Sequence, residues 1–253
     1  MGKIIAVANQ KGGVGKTTTS INLASALAVK NKKILLVDID AQGNSCSGLG
    51  IPLSEDRNSM YEVLLLNEPI ENVILRTNFP NLEIVPVNGH LSGAAIEMVD
   101  IENREYLLKN NLSKIRDKYD YIIIDCPPSL DLLTLNGLTG ADSVLIPIQC
   151  EYYALEGMAK LMKTISLVQN SLNPDLKIEG ILLTMYDSRT NLSNQVVEEI
   201  SLYFKEKVYR SIIPRSVKIS EAPSHGLPID RYDPMGVGSK SYKKLAEEVI
   251  NNG

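Results

Sequence analysis

Apolar positions along the chain fall into two rhythms. Short runs of consecutive apolar residues predict buried strands at Ile4–Ala8, Lys33–Ile39, Leu82–Val87, Tyr121–Asp125, Ser143–Ile148, Ile178–Met185 and Val208–Ile213. Between them, apolar residues three and four apart predict helices over Thr17–Val29, Ser59–Leu66, Glu102–Lys118, Leu130–Leu138, Ala154–Gln169, Asn191–Lys205 and Tyr242–Asn251. Ile21, Ala24, Leu27 and Ala28 form one face of the first helix, and Leu155, Met158, Leu161, Met162 and Ile165 one face of the fifth. Ala41 to Pro52, rich in Gly, Ser and Asn, reads as loop. Strands that are apolar on both faces belong in a parallel sheet covered by helices. Their alternation with helices predicts one doubly wound, mostly parallel α/β domain over residues 1–253. Ligands in such a domain bind beyond the carboxyl ends of the strands.

Composition narrows this picture only slightly. Hydrophobic content is 44% and charged content 22%, ordinary for a globular chain, and with no Trp and two Phe the core must be aliphatic. Cys46, Cys126 and Cys150 lack metal-ligand spacing and read as small buried hydrophobes. The N-terminus enters a strand at once, without a secretory signal, and no apolar run approaches the roughly 20 residues that span a bilayer. The expected location is cytoplasmic, with no membrane contact. A net charge of -4 argues against nucleic acid as a partner, yet Lys205 to Lys244 holds nine Lys/Arg against four Asp/Glu, a local +5.

The candidate chemistry starts at Gln10-Lys11-Gly12-Gly13-Val14-Gly15-Lys16-Thr17-Thr18, between the first strand and the first helix. Strand, glycine-rich loop and helix form the context of a phosphate-binding loop. Glycines let backbone N–H groups turn around phosphate oxygens, and the helix aims its positive end at the same anion. Lys16 supplies a point charge and the Thr17 hydroxyl a hard oxygen ligand for Mg²⁺. Gln10 occupies the place of the motif's first glycine. Lys11 is either a solvated loop residue or a cation reaching the nucleotide of a second subunit, since no arginine lies beside the loop.

Asp38 and Asp40 end the second strand, and alternation places them on one side, where a carboxylate can orient water or help hold the metal. Tyr121-Ile122-Ile123-Ile124-Asp125 is an apolar strand ending in an aspartate that would sit beside Mg²⁺. His90 and His225 lack neighbouring nucleophiles and read as non-catalytic. Arg189, Lys218, Lys240, Lys243 and Lys244 could meet DNA phosphates or simply be surface charge, and no recognition-helix signature supports sequence-specific readout.

Lys11–Thr18 resembles the deviant Walker A motif of the ParA/MinD family, Asp38-Ile39-Asp40-Ala41-Gln42-Gly43-Asn44 its second motif, and Asp125-Cys126-Pro127-Pro128-Ser129 its Walker B region. Residues 149–157 and 220–226 are similar to two further family segments. The resemblance implies an ATPase using ATP and Mg²⁺, an ATP-bound sandwich homodimer, non-specific double-stranded DNA binding on the nucleoid, and stimulation by a ParB-type partner. A replication initiator is a further implied partner. It also implies that Lys11 crosses to the other subunit and that Gly12 is small for the monomers to approach. Lys16, Thr17 and Asp125 would hold phosphate and metal. Asp40 would position the attacking water and help hold the metal. Gly12, Gly13, Val14, Gly15 and Thr18 would cradle phosphate, Pro214, Arg215 and Ser216 line the adenine, and Arg189 and Lys218 meet DNA. Ala41 stands where the family has Pro, Ser216 where it has Asn, Lys218 where it has Arg, and Met235-Gly236-Val237 lacks basic residues found there. The alternatives are a membrane-cycling ATPase of the same family, disfavoured by the acidic C-terminal end, and a nucleotide-dependent scaffold with negligible turnover.

Overall fold

The computed structural model describes residues 1–151 and 154–252. Tyr152 and Tyr153, at the centre of the 149–157 segment, lie outside the described residues, as does the inward face expected of Leu155. Among the described residues seven strands make one sheet: β1 (Lys3–Val7), β2 (Ile34–Asp38), β3 (Leu75–Arg76), β4 (Leu82–Val85), β5 (Tyr121–Asp125), β6 (Ser143–Gln149) and β7 (Lys177–Thr184). Their order is β3-β4-β2-β5-β1-β6-β7, parallel throughout except for β3 against β4. The helices are α1 (Lys16–Val29), α2 (Asn44–Gly48), α3 (Met60–Leu65), α4 (Ile70–Val73), α5 (Ala94–Glu97), α6 (Leu107–Ile115), α7 (Leu132–Gly140), α8 (Ala154–Ser171), α9 (Asn191–Phe204), α10 (Val217–Glu221), α11 (Ile229–Tyr232) and α12 (Val237–Asn251).

The period of two in each strand divides the core. Ile4, Ala6, Val37, Ile122, Ile124, Ile146 and Leu183 pack with α3, α6, α7, α8 and α9 on one face. Ile5, Val7, Leu36, Ile123, Leu145 and Leu182 pack with α1, α11 and α12 on the other. Ile122, Ile123 and Ile124 are each fully buried, worth about 1.5–3 kcal/mol apiece. This burial on both faces makes β5 a central strand. It fixes the register that sets Val7 and Asp38 beside Asp125 at the carboxyl edge.

The fold corrects several expectations. Val208–Ile213 is no strand. Its backbone meets β7 at an isolated bridge between Val208 and Ile181 and through bonds from the Tyr209 and Ile213 amides to the Ile181 and Leu183 carbonyls, and Pro214 bridges Tyr186 just beyond; no ladder forms, because the Glu248 carboxylate captures the amides of Arg210 and Ser211, each at 2.8 Å. The seventh strand is instead β3, too short to leave a periodic signal. The expected 41–52 loop contains α2. The helix expected from Glu102 is regular only over α6, with tight single turns before and after it. Helix α7 starts at Leu132, since Asp131 caps it by accepting from the amides of Leu133 and Thr134. Helix α12 begins five residues before Tyr242.

Candidate nucleotide site

The loop between β1 and α1 is held in shape by side chains from the rest of the sheet. Asn9 donates through Nδ2 to the Pro147 carbonyl at 2.7 Å, and its Oδ1 accepts the Lys11 amide at 3.0 Å. The Thr184 hydroxyl, at the end of β7, donates to the Val14 carbonyl at 2.8 Å. Gly13 and Gly15 take φ of +75° and +90°, the left-handed region that a Cβ disfavours. Gly15 is also the residue from which α1 departs, so the free N–H groups of the first turn open where the loop closes.

These elements border a cavity of about 460 Å³. Gly12, Gly13, Gly15, Lys16, Thr17 and Thr18 supply one wall, Asp40, Gln42, Asn44 and Ser47 a second, and Pro128, Met185, Pro223 and Leu227 an apolar margin. Burial pushes the Lys16 ammonium below its ordinary value, opposed by the Asp125 and Asp40 carboxylates. Its Nζ lies 3.4 Å from the Lys11 carbonyl, a long contact that a phosphate oxygen could replace.

Asp125 is fully buried at the end of β5. It accepts from the Ser20 hydroxyl at 2.9 Å, the Ser45 hydroxyl at 2.8 Å and the Thr17 hydroxyl. Burial pushes its carboxyl up to about 6 despite these donors. Asp38, its neighbour in register, is raised well above the carboxylate range, first by burial and then by Asp125. Asp38 and Asp40 do not share a task, because the strand ends at Asp38. Asp38 turns inward and accepts the amides of Asp40 and Ser45 at 3.0 and 3.2 Å, whereas Asp40 lines the cavity. Asp40 accepts the Gln42 amide at 3.0 Å, which fixes the turn after β2 with Ala41 in it.

Other expected residues lie apart. Lys11 is absent from the cavity wall. Its Nζ reaches outward to Glu151 Oε2 at 3.3 Å, and Glu151 is held in turn by Gln149. Pro214, Arg215 and Ser216 do not line the cavity. Pro214 bridges Tyr186, the Arg215 amide bonds the Tyr186 carbonyl, and Ser216 opens α10. Arg189 forks onto Asp187, Nε to Oδ1 at 2.9 Å and Nη2 to Oδ2 at 2.7 Å, and its side chain is 85% exposed. Lys218 pairs with Glu221 at 3.1 Å over the Tyr232 ring. Ser20 and Ser45 carry no motif of their own and escape sequence reasoning, whereas Glu151 falls in the 149–157 segment without a role assigned to it. Only their bonds to motif residues single them out.

A left-handed glycine loop, a desolvated lysine and a strand-end aspartate bonded to the first helical turn define a phosphate-loop nucleotide-binding protein. A family model described as an AAA domain matches residues 2–178. The chain is 56% identical over 253 residues to the sporulation initiation inhibitor protein Soj of Bacillus subtilis, covering 100% of each. It is 54% identical over 250 residues to the chromosome partitioning protein ParA of Myxococcus xanthus, covering 99% of this chain and 88% of that one. Among solved structures, the cell division ATPase MinD of Pyrococcus furiosus superposes with a TM-score of 0.83 at 28% identity, covering 100% of each chain. Cobyrinic acid a,c-diamide synthase of Mycobacterium smegmatis, with bound ADP and magnesium, does so with a TM-score of 0.88 at 38% identity, over 99% of this chain and 95% of that one. The chain belongs to the ParA/MinD family of ATPases.

Proposed function

We propose that this protein is a slow, ATP-dependent DNA-partition switch. The observation that carries the reading is one cavity lined by Lys16, Thr17 and Asp40, with Asp125 buried behind it and bonded to the Thr17 hydroxyl, in a chain similar throughout its length to chromosome-partitioning relatives.

The residues suit a magnesium nucleotide. The loop places no Cβ in the phosphate cradle at Gly12, Gly13 and Gly15, and a Cβ built at Gly12 or Gly13 meets nothing within 4 Å. Among the described residues no group of three His, Cys, Asp or Glu side chains could hold a metal unaided. That suits Mg²⁺, which is commonly held by one or two protein oxygens plus phosphates. Thr17 would hold it, with Asp125 and Asp40 near; when bound, Mg²⁺ neutralises charge developing on the transferred phosphoryl group. Lys16 binds β- and γ-phosphate oxygens. Asp40, on the opposite wall, orients the attacking water.

Lys11 points away from its own cavity, and Gly12 has open space outside it, so both are available to a second subunit. A two-fold sandwich then supplies in trans the cation that each site lacks, and an unstimulated site turns over slowly. ATP closes the dimer and pairs two surfaces that each carry Arg189 and Lys218 for non-specific double-stranded DNA. A ParB-type partner accelerates hydrolysis, the dimer opens and DNA is released. The protein works on the nucleoid, in chromosome or plasmid segregation, with replication control through an initiator as a further output. The adenine is expected to lie toward Pro214–Ser216. The test is sizing of Asp40→Ala with ATP or ADP, with and without non-specific DNA. A dimer with ATP that stays on DNA is expected; a variant that hydrolyses ATP at the normal rate removes Asp40 from catalysis.

A further inference from the structure

Ser45 lies on the first turn of α2, fully buried, in a segment that reads as loop in the sequence. Its amide donates to Asp38 Oδ2 at 3.2 Å and its hydroxyl to Asp125 Oδ2 at 2.8 Å. Asp38 Oδ1 accepts the Asp40 amide at 3.0 Å. Asp125 Oδ1 accepts the Ser20 hydroxyl at 2.9 Å, and that hydroxyl also lies 3.0 Å from the Lys16 carbonyl. A continuous buried path therefore runs from the Asp40 backbone through Asp38, Ser45 and Asp125 to the first turn of α1.

We propose that Ser45 is a positioning residue that couples the loop carrying Asp40 to the metal-side carboxylate Asp125, so that magnesium-nucleotide binding and the placement of Asp40 are set together. The proposal rests on the nucleotide-site reading above. Its physical basis is the juxtaposition of two buried carboxylates, Asp38 and Asp125, in register on adjacent strands. Such groups repel and have little solvent to turn toward, so their orientation follows their donors. Ser45 serves both, its amide one and its hydroxyl the other. Removing the hydroxyl leaves the Asp38 contact and α2 intact and frees only the Asp125 oxygen. Outer donors of this kind orient a metal-side ligand.

The experiment titrates a fluorescent ATP analogue against Ser45→Ala at graded Mg²⁺, with Lys16→Ala as the reference for a lost site. Without Mg²⁺, analogue affinity should match the parent protein. The Mg²⁺ concentration for half-maximal binding should rise about 10-fold or more, the range for removing an outer-shell partner. At saturating Mg²⁺, kcat should fall while KM for ATP stays near the parent value. Ser45→Thr should restore both quantities, and Ser45→Cys, a weaker donor, should fall between. Ser45→Cys also supplies the readout if the alanine variant does not fold. Parent-like Mg²⁺ dependence in Ser45→Ala, or an equal loss of affinity with and without Mg²⁺, overturns the coupling. Magnesium-independent binding by the parent protein would instead sink the nucleotide-site reading.

Discussion

Gly12 offers a sharp separation of fold from assembly. A Cβ built there meets no atom of the described residues within 4 Å, and its φ lies outside the left-handed region. Among the described residues nothing crowds a side chain at this position. Gly12→Val should therefore change unfolding free energy by no more than about 0.5 kcal/mol, as for surface positions without special geometry. ATP affinity of the monomer should fall less than dimer affinity: Gly12 borders the cavity, but the left-handed turns and free N–H groups of the phosphate cradle come from Gly13, Gly15 and α1. In a face-to-face dimer the new side chain enters twice. Overfilling a packed contact costs about 1–3 kcal/mol per site, so the dimer loses about 2–6 kcal/mol, or roughly 30-fold to 10⁴-fold in Kd. Sedimentation velocity with a non-hydrolysable ATP analogue and Mg²⁺, beside urea unfolding of the same sample, measures both quantities. A variant that dimerises as well as the parent refutes the facing-loop geometry. One that unfolds several kcal/mol more easily shows that the glycine serves the monomer after all.

Lys16→Ala should bind ATP at least roughly 100-fold more weakly, since two charge-assisted phosphate bonds at about 1.5–3 kcal/mol each are lost; calorimetry with retained tight binding would refute the loop assignment. Asn173, buried, donates to the carbonyls of Leu138, Thr139 and Ala141 at 3.0, 3.2 and 2.8 Å and closes the end of α7. Asn173→Ala should cost about 2–4 kcal/mol in urea unfolding through unpaired buried acceptors, with ATP affinity unchanged; a loss below 1 kcal/mol would contradict this. Arg189→Ala removes the forked side-chain bonds but keeps the residue-189 amide on Asp187, so the Asp187 carboxyl should rise part of the way from about 2 toward roughly 3.9, read by NMR titration. The sign follows from the depressed native value: the pair stabilises above the unfolded pKa and loses that contribution as pH falls toward 2. The same variant should lower DNA retention at every sequence and reduce the salt slope by about 0.9 per lost phosphate contact; unchanged retention in salt would clear Arg189.

The central strands and the phosphate loop were legible because one force dictates each. Ile122 to Ile124, apolar on both faces, can only be an interior strand, and Gly13 and Gly15 stand where the turn needs left-handed backbone. Legibility failed where a distant side chain decides the local outcome. Val208–Ile213 has a strand's composition, but Glu248, some 37 residues on, takes two of its amides. Asp38 and Asp40 look equivalent by alternation; the strand's end at Asp38 separates them into a buried brace and a cavity wall. Helix α2 is set by Gly43 in the left-handed region and by the Ser45 amide on Asp38, neither of which a helical period reveals. Ser45 and Ser20 escaped for the same reason, since their importance lies in what they touch.

The pairing of the two proposed DNA residues bears on how a net acidic chain could hold DNA at all. Arg189 and Lys218 are not free cations. Each must exchange a carboxylate, Asp187 or Glu221, for a phosphate. An exposed pair is worth about 0–1 kcal/mol, so giving it up costs little, and release of counterions from the DNA would drive the exchange. One subunit's patch then binds weakly, as the net charge of -4 also favours. In the proposed dimer, two patches would act at an effective concentration in the millimolar range, which multiplies weak contacts without adding any. Affinity that comes from doubling vanishes when the dimer opens. The internal carboxylates would take the cations back on release, a small contribution beside the loss of the second patch. In the proposed switch, a more basic surface would bind DNA harder and weaken the dependence on ATP.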